Sequence, residues 1–305
     1  MERMLHEAVD AGRRVLDKGS VATYIPELAK ADPNALAVAF CGVDGARASS
    51  GDTGTRITIQ SISKVASLGL ALSLLGEDLV FSRVGVEPSA DPFNSIMRLE
   101  MRAPHRPQNP LINSGAILIL SLLPFSDSSE RLEAVLEIIR KMTGNPGLRV
   151  NESVAVSERD TSDRNRSLGY FLRSMGTMEG NVENILDSYF RQCAIECTVE
   201  DLAVMGATLA AGGSNPLTGE KVLPEKATVI IRALMTTCGL YDGSGDFAVR
   251  VGFPAKSGVG GGITGSIPGR AGLAVVGPAL DPKGNSIGGV RVLEHLSGSM
   301  SLRVL

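Results

Sequence analysis

The sequence predicts an α+β fold in which an antiparallel sheet, flanked by terminal helices, is interrupted by an all-helical domain. Two observations predict it: strand-like segments lie near both ends of the chain, and the segments between them have mainly helical signals. We therefore expect a sheet domain formed by residues 1–60 and 240–305, with a helical domain at 61–239. A functional site is expected at their junction.

The N-terminal elements are a helix followed by a hairpin. Residues 1–16 mix charges through their apolar positions, which is typical of an amphipathic helix. Residues 35–41 and 47–51 are predicted strands, joined by a turn that contains Asp44 and Gly45.

The central elements are predicted to be helices separated by loops that contain proline and glycine. Thr198 and Asp201 form a capping-box variant at the start of one helix, and Gly212 and Gly213 end it. The predicted helices are 61–75, 110–123, 129–142, 182–192, 198–211 and 224–238.

The last part of the chain changes to short strand-like segments with Gly and Pro turns. The predicted strands are 247–251, 271–276 and 288–292, followed by a short closing helix. Residues 260–265 satisfy the pattern G-x-G-x-x-G, but Pro268 and Gly269 stand where a dinucleotide fold needs a helix. We therefore predict no nucleotide site there.

The composition is that of an ordinary soluble protein. The chain has 305 residues, 43% hydrophobic and 21% charged, and its net charge of −3 argues against nucleic acid and anionic membranes as partners. The longest apolar run, 116–123, is ended by Pro124 and is too short to span a membrane. The N-terminus has no uninterrupted apolar region of an export signal, so a cytoplasmic location is expected.

The cysteines and histidines do not have metal-site spacing. Four cysteines lack any Cys-x-x-Cys pair and are predicted to be buried thiols, and three scattered histidines are too few for a metal cluster. We therefore predict no metal site.

Ser61 and Lys64 form a candidate nucleophile and base at the start of a predicted helix. Side chains three residues apart lie on one helix face, so the Lys64 amine can reach the Ser61 hydroxyl, while backbone N–H groups at the helix start can hold an oxyanion. Lys64 is the one lysine with a serine three residues before it. A serine N-cap beside a solvated lysine fits the same four residues.

A second lysine motif, Lys256-Ser257-Gly258, follows further along the chain. Ser-x-x-Lys followed by Lys-Ser/Thr-Gly resembles the motifs of the penicillin-recognising serine enzymes. If the two motifs meet, burial and like charge disfavour protonation of at least one lysine, and a neutral Lys64 can act as a base.

Longer motifs resemble the serine-dependent glutaminases, in order, over residues 24–297. The matching segments are 60–64, 109–116, Ser157-Glu158 with Arg164-Asn165, 192–195, 201–203 and 254–263. This resemblance implies a β-lactamase-like fold, a homo-oligomer (dimer or tetramer), and hydrolysis of L-glutamine to L-glutamate and ammonia through a serine glutamyl-enzyme without a cofactor.

The resemblance also implies a role for each matching residue. Ser61 is the nucleophile, Lys64 its base and Tyr241 a phenol that assists proton transfer, while the N–H groups of Ser61 and Val259 form the oxyanion hole. Lys256 and Ser257 support them. The implied substrate-binding residues are Tyr24, Gln60, Ser61, Asn113, Glu158, Asn165, Tyr189, Tyr241 and Val259.

Glutamine chemistry requires these residue types independently, because a carboxylate suits its α-ammonium and neutral donors suit its carboxylate and amide. Structural alternatives remain: Glu158 in a surface ion pair, Asn113 and Asn165 as turn or cap residues, and Tyr189 and Tyr241 as core aromatics. Tyr170, Arg164, Cys193 and Cys197 are interpreted as structural.

Two other functions also fit part of the sequence. A β-lactamase or peptidoglycan peptidase usually has a Ser-x-Asn or Tyr-x-Asn element, and the nearest triplet here, Ser126-Asp127-Ser128, has the wrong last residue. A non-catalytic glutamine sensor would keep the pocket without turnover, although Ser61 and both lysines are present.

Overall fold

A computed structural model describes residues 1–89, 94–101 and 103–305. Its main sheet is antiparallel, with strand order β2-β1-β7-β6-β5, and β3 pairs with β4 in a separate ribbon. The strands are β1 (Ala37–Gly42), β2 (Arg47–Gly51), β3 (Ile57–Thr58), β4 (Glu196–Cys197), β5 (Ala255–Ser257), β6 (Gly262–Ile267) and β7 (Ala271–Val276).

Helices cover both faces of the main sheet. In chain order they are α1 (Glu2–Arg13), α2 (Ser63–Arg83), α3 (Met97–Met101), α4 (Asn113–Leu122), α5 (Ser128–Thr143), α6 (Glu152–Asp160), α7 (Asp163–Ser174), α8 (Val182–Cys193), α9 (Val199–Ala210), α10 (Glu225–Cys238), α11 (Ser244–Arg250) and α12 (Ile287–Ser299). Short 3₁₀ turns span Leu16–Lys18, Leu28–Lys30, Gln60–Ile62 and Tyr241–Gly243.

Alternating residues of β7 separate two hydrophobic cores. Ala274 and Val276 pack with α9 and the other central helices, whereas Leu273 and Val275 pack with α1 and α12 on the opposite face. Helix α9 approaches the sheet very closely at Gly272, where an added Cβ would lie 2.1 Å from the carbonyl oxygen of Ala203. This close packing fixes the central helices, and the residues they bear, against the sheet.

Several elements agree with the sequence prediction. The strand at 271–276 has the predicted bounds, and the side chains of Thr198 and Asp201 form the predicted capping box at α9. All four cysteines are free and buried, as predicted. The division into two domains at residues 60 and 240 stays a prediction.

Two predicted strands are wrong. Residues 247–251 lie mainly in α11. Phe247 and Val251, four residues apart, are buried, whereas Val249 between them is 73% exposed. The burial therefore follows the period of a helix and not the two-residue alternation of a strand. Residues 288–292 lie in α12, and Gly288 allows close packing on α1 rather than marking a strand.

Other elements were missed or begin elsewhere. The glycine-rich run after residue 260 contains strand β6, and helices α6 and α7 were not predicted. Ser61 lies in the 3₁₀ turn before α2 rather than in its first turn. Helix α2 extends to Arg83, beyond residue 75, with a non-helical Gly76.

By length and composition alone, the helical stretch Gln60–Arg83 could cross a membrane, although no uninterrupted apolar run in the sequence reaches that length. Its N-terminal half, from Ser63 to Leu72, is largely buried among the other central helices. Core helices of soluble proteins pass the same test, so the finding is weak evidence for a membrane span.

Candidate active site

A cavity of about 70 Å³ lies where the 3₁₀ turn before α2 meets α4, α6, α7 and α8. The predicted substrate-binding residues converge on it: all of them line the cavity except Tyr241, which reaches it through a hydrogen bond to Ser61. The lining residues are Tyr24, Ile25, Gln60, Ser61, Asn94, Asn113, Glu158, Thr161, Ser162, Arg164, Asn165, Tyr189, Cys193 and Val259.

Ser61 is held between two residues with unusual backbone conformations. Gln60, directly before it, has φ of 49°, and Tyr241, which hydrogen-bonds to it, has φ of 57°. Non-glycine residues adopt this left-handed region at a cost of about 1–3 kcal/mol, and such residues cluster at functional sites. The surrounding structure therefore holds both Ser61 and its phenol partner in place.

The loop after β5 passes directly against the Ser61 turn. A Cβ added to Gly258 would lie 2.7 Å from the carbonyl oxygen of Ile59 and 3.3 Å from the backbone nitrogen of Ser61. Glycine at this position therefore allows Val259, the next residue, to line the cavity beside Ser61. Two backbone N–H groups close together are the usual donors of an oxyanion hole.

Lys64 is fully buried, and its Nζ donates hydrogen bonds to the carbonyl oxygen of Leu111 at 3.3 Å and to Oδ1 of Asn113 at 2.7 Å. Burial lowers the pKa of Lys64 to about 8. A neutral amine has two hydrogens and one lone pair, so these two acceptors match the uncharged form. The solvated-lysine interpretation is wrong, because no part of this side chain reaches solvent.

Lys256 is the second fully buried lysine and is tied to the Tyr241 loop. Its Nζ donates to the carbonyl oxygens of Gly239 at 2.9 Å and Ser257 at 2.6 Å, and lies 4.4 Å from the centroid of the Tyr241 ring. Burial, and then the charge of Lys64, hold the pKa of Lys256 well below its usual value. Lys256 therefore joins β5 to the loop that carries the phenol.

Glu158 presents a carboxyl group to the cavity from α6. The side chain is 5% exposed, and Oε2 has no hydrogen-bond partner within the described ranges. Burial raises the pKa of Glu158 to about 8, against the opposing effects of Lys64, Gln60 and Cys193. The surface ion-pair interpretation is therefore wrong for Glu158. The neighbouring Arg159 pairs with Asp160 instead.

Asn113 and Asn165 connect the buried lysine to the cavity wall. Nδ2 of Asn113 donates to Oδ1 of Asn165 at 2.9 Å, and Nδ2 of Asn165 lies 3.5 Å from Oγ of Ser162. Asn113 is the first residue of α4, yet its side chain is used in this chain of hydrogen bonds rather than as an N-cap. The two amides are therefore oriented by partners inside the site.

Residues interpreted as structural also line the cavity. Cys193 lies one helical turn after Tyr189 on α8, so the prediction of a cavity residue at Tyr189 could have extended to it. Arg164 stands at the cavity and donates from Nε to the carbonyl oxygen of Asn94 at 2.8 Å. Ser162 had no distinguishing signal apart from its place between Glu158 and Asn165.

Among the described residues, no group of three or more His, Cys, Asp or Glu side chains could hold a metal ion. The polar groups of the cavity are instead three hydroxyls, four amides, two phenols, a carboxyl, a guanidinium and a thiol. These groups suit a small molecule that contains both an ammonium and a carboxylate.

The antiparallel sheet and the many helices around it place the chain in the class of proteins with the β-lactamase-like fold. The model of the family described as Glutaminase matches residues 19–305. The chain belongs to the glutaminase family. Its predicted fold class and family are thereby confirmed.

Individual relatives agree over the whole chain. A glutaminase of Clostridium botulinum (strain Kyoto / Type A2) is 47% identical over 304 residues, covering 100% of both chains. The crystal structure of a probable glutaminase of Bacillus subtilis has a TM-score of 0.93 and 38% identity, covering 100% of this chain and 97% of that one. A covalent complex between a Bacillus subtilis glutaminase and 5-oxo-L-norleucine, formed with 6-diazo-5-oxo-L-norleucine, has a TM-score of 0.91 and 37% identity, with coverages of 100% and 99%.

Proposed function

We propose that this protein hydrolyses L-glutamine to L-glutamate and ammonia through a glutamyl ester on Ser61. The observation that carries the proposal is the pairing, in one cavity, of Ser61 with a buried Glu158 whose Oε2 has no partner within the described residues. An ammonium group would satisfy that oxygen. A molecule with an α-ammonium at one end and an amide at the other spans both groups.

Acylation begins when Lys64, as the neutral amine, takes the proton of the Ser61 hydroxyl. Ser61 Oγ attacks the side-chain amide carbon, and the N–H groups of Ser61 and Val259 stabilise the resulting oxyanion. The carbon–nitrogen bond then breaks, and the proton passes from the Lys64 ammonium, with Tyr241 assisting, to the leaving nitrogen. Ammonia leaves, and the γ-glutamyl group stays as an ester on Ser61.

Deacylation uses the same groups in reverse. Neutral Lys64 takes a proton from water, the hydroxide attacks the ester carbon, and the proton returns to Ser61 Oγ as the ester bond breaks. One water is consumed, and glutamate is the second product. Two smaller barriers replace the single barrier of direct amide hydrolysis.

The size of the cavity favours an amino acid over a penicillin or a peptide. Its volume of about 70 Å³ lies well below the roughly 300–1,000 Å³ of pockets that hold drug-sized molecules. The relative that forms a covalent complex does so with an amino-acid reagent, 6-diazo-5-oxo-L-norleucine. That reagent has the same α-amino and α-carboxyl groups as glutamine.

The decisive experiment measures ammonia release from L-glutamine by the wild-type protein and by Ser61→Ala, with L-asparagine as a second substrate. Ser82→Ala is the matched control, because Ser82 lies on the same helix α2 and its hydroxyl donates to the carbonyl oxygen of Leu79 in that helix. We expect wild type and Ser82→Ala to release ammonia equally and Ser61→Ala to lose at least about 10⁴-fold in kcat, as expected for a lost nucleophile.

Mass spectrometry of the 6-diazo-5-oxo-L-norleucine adduct locates the acylated residue, expected at Ser61. Labelling elsewhere, or an active Ser61→Ala protein, would contradict the mechanism. Glutamine binding by calorimetry without ammonia release would support a sensor instead. Rapid labelling by a fluorescent penicillin without ammonia release would support a penicillin-recognising enzyme.

A further inference from the structure

The hydroxyl of Ser162 is buried in the cavity and is not used by the helix that it precedes. Ser162 is the N-cap residue of α7, where serine usually accepts a hydrogen bond from the helix backbone, but within the part of the chain that the structure describes its side chain makes no cap hydrogen bond. The residue is 6% exposed and lines the cavity with Ser61 and Glu158. Ser162 therefore lies in the wall of the space that the substrate would occupy.

Ser162 also ends a directional chain of hydrogen bonds that begins at the base. Lys64 donates to Oδ1 of Asn113, Asn113 donates to Oδ1 of Asn165, and Asn165 donates from Nδ2 towards Oγ of Ser162. Each of the two asparagines accepts with its oxygen and donates with its nitrogen. Ser162 accepts from Asn165 with a lone pair, so its single hydroxyl hydrogen remains as the last donor of the chain.

The position of this donor relative to Glu158 identifies the substrate group that it can bind. If the unpartnered Oε2 of Glu158 takes the α-ammonium, the α-carboxylate, bonded to the same carbon, must lie beside it. Ser162 follows Glu158 by four residues, at the junction of α6 and α7. The N-terminus of α7, a helix of 12 residues, adds a favourable field for an anion.

We propose that Ser162 is a further substrate-binding residue, whose hydroxyl donates a hydrogen bond to the α-carboxylate of glutamine. The inference rests on the proposed function. It assigns the carboxylate subsite to the junction of α6 and α7, with Asn165 as the neighbouring donor, and it makes Ser162 a determinant of substrate affinity rather than of chemistry.

The test compares Ser162→Ala with wild type on two substrates, L-glutamine and 4-aminobutanamide, which is glutamine without its α-carboxylate. On glutamine we expect Ser162→Ala to raise KM about tenfold, the lower range for a hydrogen bond to a charged group, and to leave kcat within about twofold. On 4-aminobutanamide the variant and wild type are expected to have the same KM. Ser162→Thr, which keeps a hydroxyl, is expected to recover most of the affinity for glutamine.

The matched control is Ser167→Ala on the same helix, because the Ser167 hydroxyl is exposed and donates to the carbonyl oxygen of Asp163. It is expected to have wild-type constants on both substrates. Calorimetry of L-glutamate binding to Ser162→Ala gives the affinity independently of turnover, and thermal melting checks the folding of each variant.

The outcomes separate this inference from the proposed function. Equal KM increases on both substrates, or a fall in kcat on both, would mean that Ser162 acts only by orienting Asn165, and would overturn the carboxylate assignment. Wild-type affinity in Ser162→Ala would overturn it too. A wild-type protein that releases no ammonia from glutamine would instead refute the proposed function.

Discussion

Nζ of Lys64 lies 2.7 Å from Oδ1 of Asn113, and both side chains are buried. A second acceptor, the carbonyl oxygen of Leu111, uses another hydrogen of the amine. In the neutral amine these two bonds leave only the lone pair unused. The hydrogen bonds thus favour the uncharged form that the proposed mechanism requires of Lys64, three residues after Ser61.

The first prediction concerns the pH dependence of kcat/KM on glutamine. Lys64, with its pKa lowered to about 8, is protonated below that pH and neutral above it, while Glu158, with its pKa raised to about 8, ionises on the same rise in pH. The neutral form of Lys64 and the ionised form of Glu158, both of which the reaction requires, therefore appear over the same range of pH. We expect log kcat/KM to rise with a slope that approaches two below pH 8 and to flatten above it.

The profile of kcat alone is expected to be less steep. Bound glutamine places its ammonium against Glu158, which keeps the carboxylate ionised in the complex, so only Lys64 remains to titrate. The slope of log kcat is then one. Initial rates of ammonia release between pH 6 and 9 measure both profiles. A rate that falls from pH 7 to 8.5 would contradict neutral Lys64 as the base.

The second prediction is the effect of Asn113→Asp. A carboxylate in place of the amide would stabilise the charged form of Lys64 at 2.7 Å, raise the pKa of Lys64 and remove the donor to Asn165. We expect the rising limb of the kcat profile to move at least one pH unit higher, so that kcat at pH 7.5 falls about tenfold. Asn184→Asp is the control, because Asn184 bonds to Arg131 outside the cavity. If the rising limb of the kcat profile did not move, the result would contradict an effect of residue 113 on the pKa of Lys64.

The third prediction concerns Lys256→Met, which keeps the length of the side chain. The change leaves the carbonyl oxygens of Gly239 and Ser257 without their Nζ donor and removes the amine beside the Tyr241 ring. The Gly239 oxygen still accepts from the Ser257 N–H, and the Ser257 oxygen from the Tyr241 hydroxyl, so the loss is that of two hydrogen bonds, about 0.5–1.5 kcal/mol each, and we expect a decrease in the free energy of unfolding.

The loss of the Lys256 amine also releases the loop that positions Tyr241. We expect kcat on glutamine to fall about 100-fold, the range for one general acid–base group, at every pH. Burial and the nearby Lys64 lower the pKa of Lys256, but Lys64 and Glu158 remain the groups that titrate in the profile, so the pH profile is expected to keep its shape. Urea unfolding and the kcat profile measure the two effects. A large shift of the profile would instead indicate a charged Lys256.

The sequence predicted the residues that meet at the cavity better than the elements that carry them. Ser61, Lys64 and Lys256 belong to long specific motifs, and the residues matched around them line one cavity. Glu158 and Asn165 lie on α6 and α7, which were missed because these short helices are largely polar and bury only a few residues each. The residue types of Glu158 and Asn165 indicated their chemistry, although the pattern of apolar residues around them did not indicate helices α6 and α7.

The errors near the C-terminus have a similar physical origin. In 247–251, apolar residues at positions 247, 249 and 251 satisfy both a strand period and part of a helical one, and only burial in the folded protein separates them. Strand β6 was hidden because its glycines lack side chains and both of its faces are buried, so no alternation appears. In such segments, tertiary packing determines whether the residues form a helix or a strand.

The last prediction concerns Gly258→Ala, which tests the backbone approach beside Ser61. The added Cβ would lie 2.7 Å from the carbonyl oxygen of Ile59 and 3.2 Å from the Cβ of Gln60, so the loop that carries Val259 must move away. An oxyanion donor acts mainly in the transition state, and its loss costs about 10²–10³-fold in kcat. We therefore expect a fall of that size in kcat, with a KM for glutamine within about threefold of wild type.

Gly245→Ala is the matched control, since Gly245 is exposed in α11 and an added Cβ there would meet no heavy atom of the described residues within 4 Å. Steady-state ammonia release, with thermal melting of both variants, makes the comparison. A Gly258→Ala protein with wild-type kcat would contradict the assignment of the Val259 N–H as an oxyanion donor, because the substitution leaves no room for that loop in its present position.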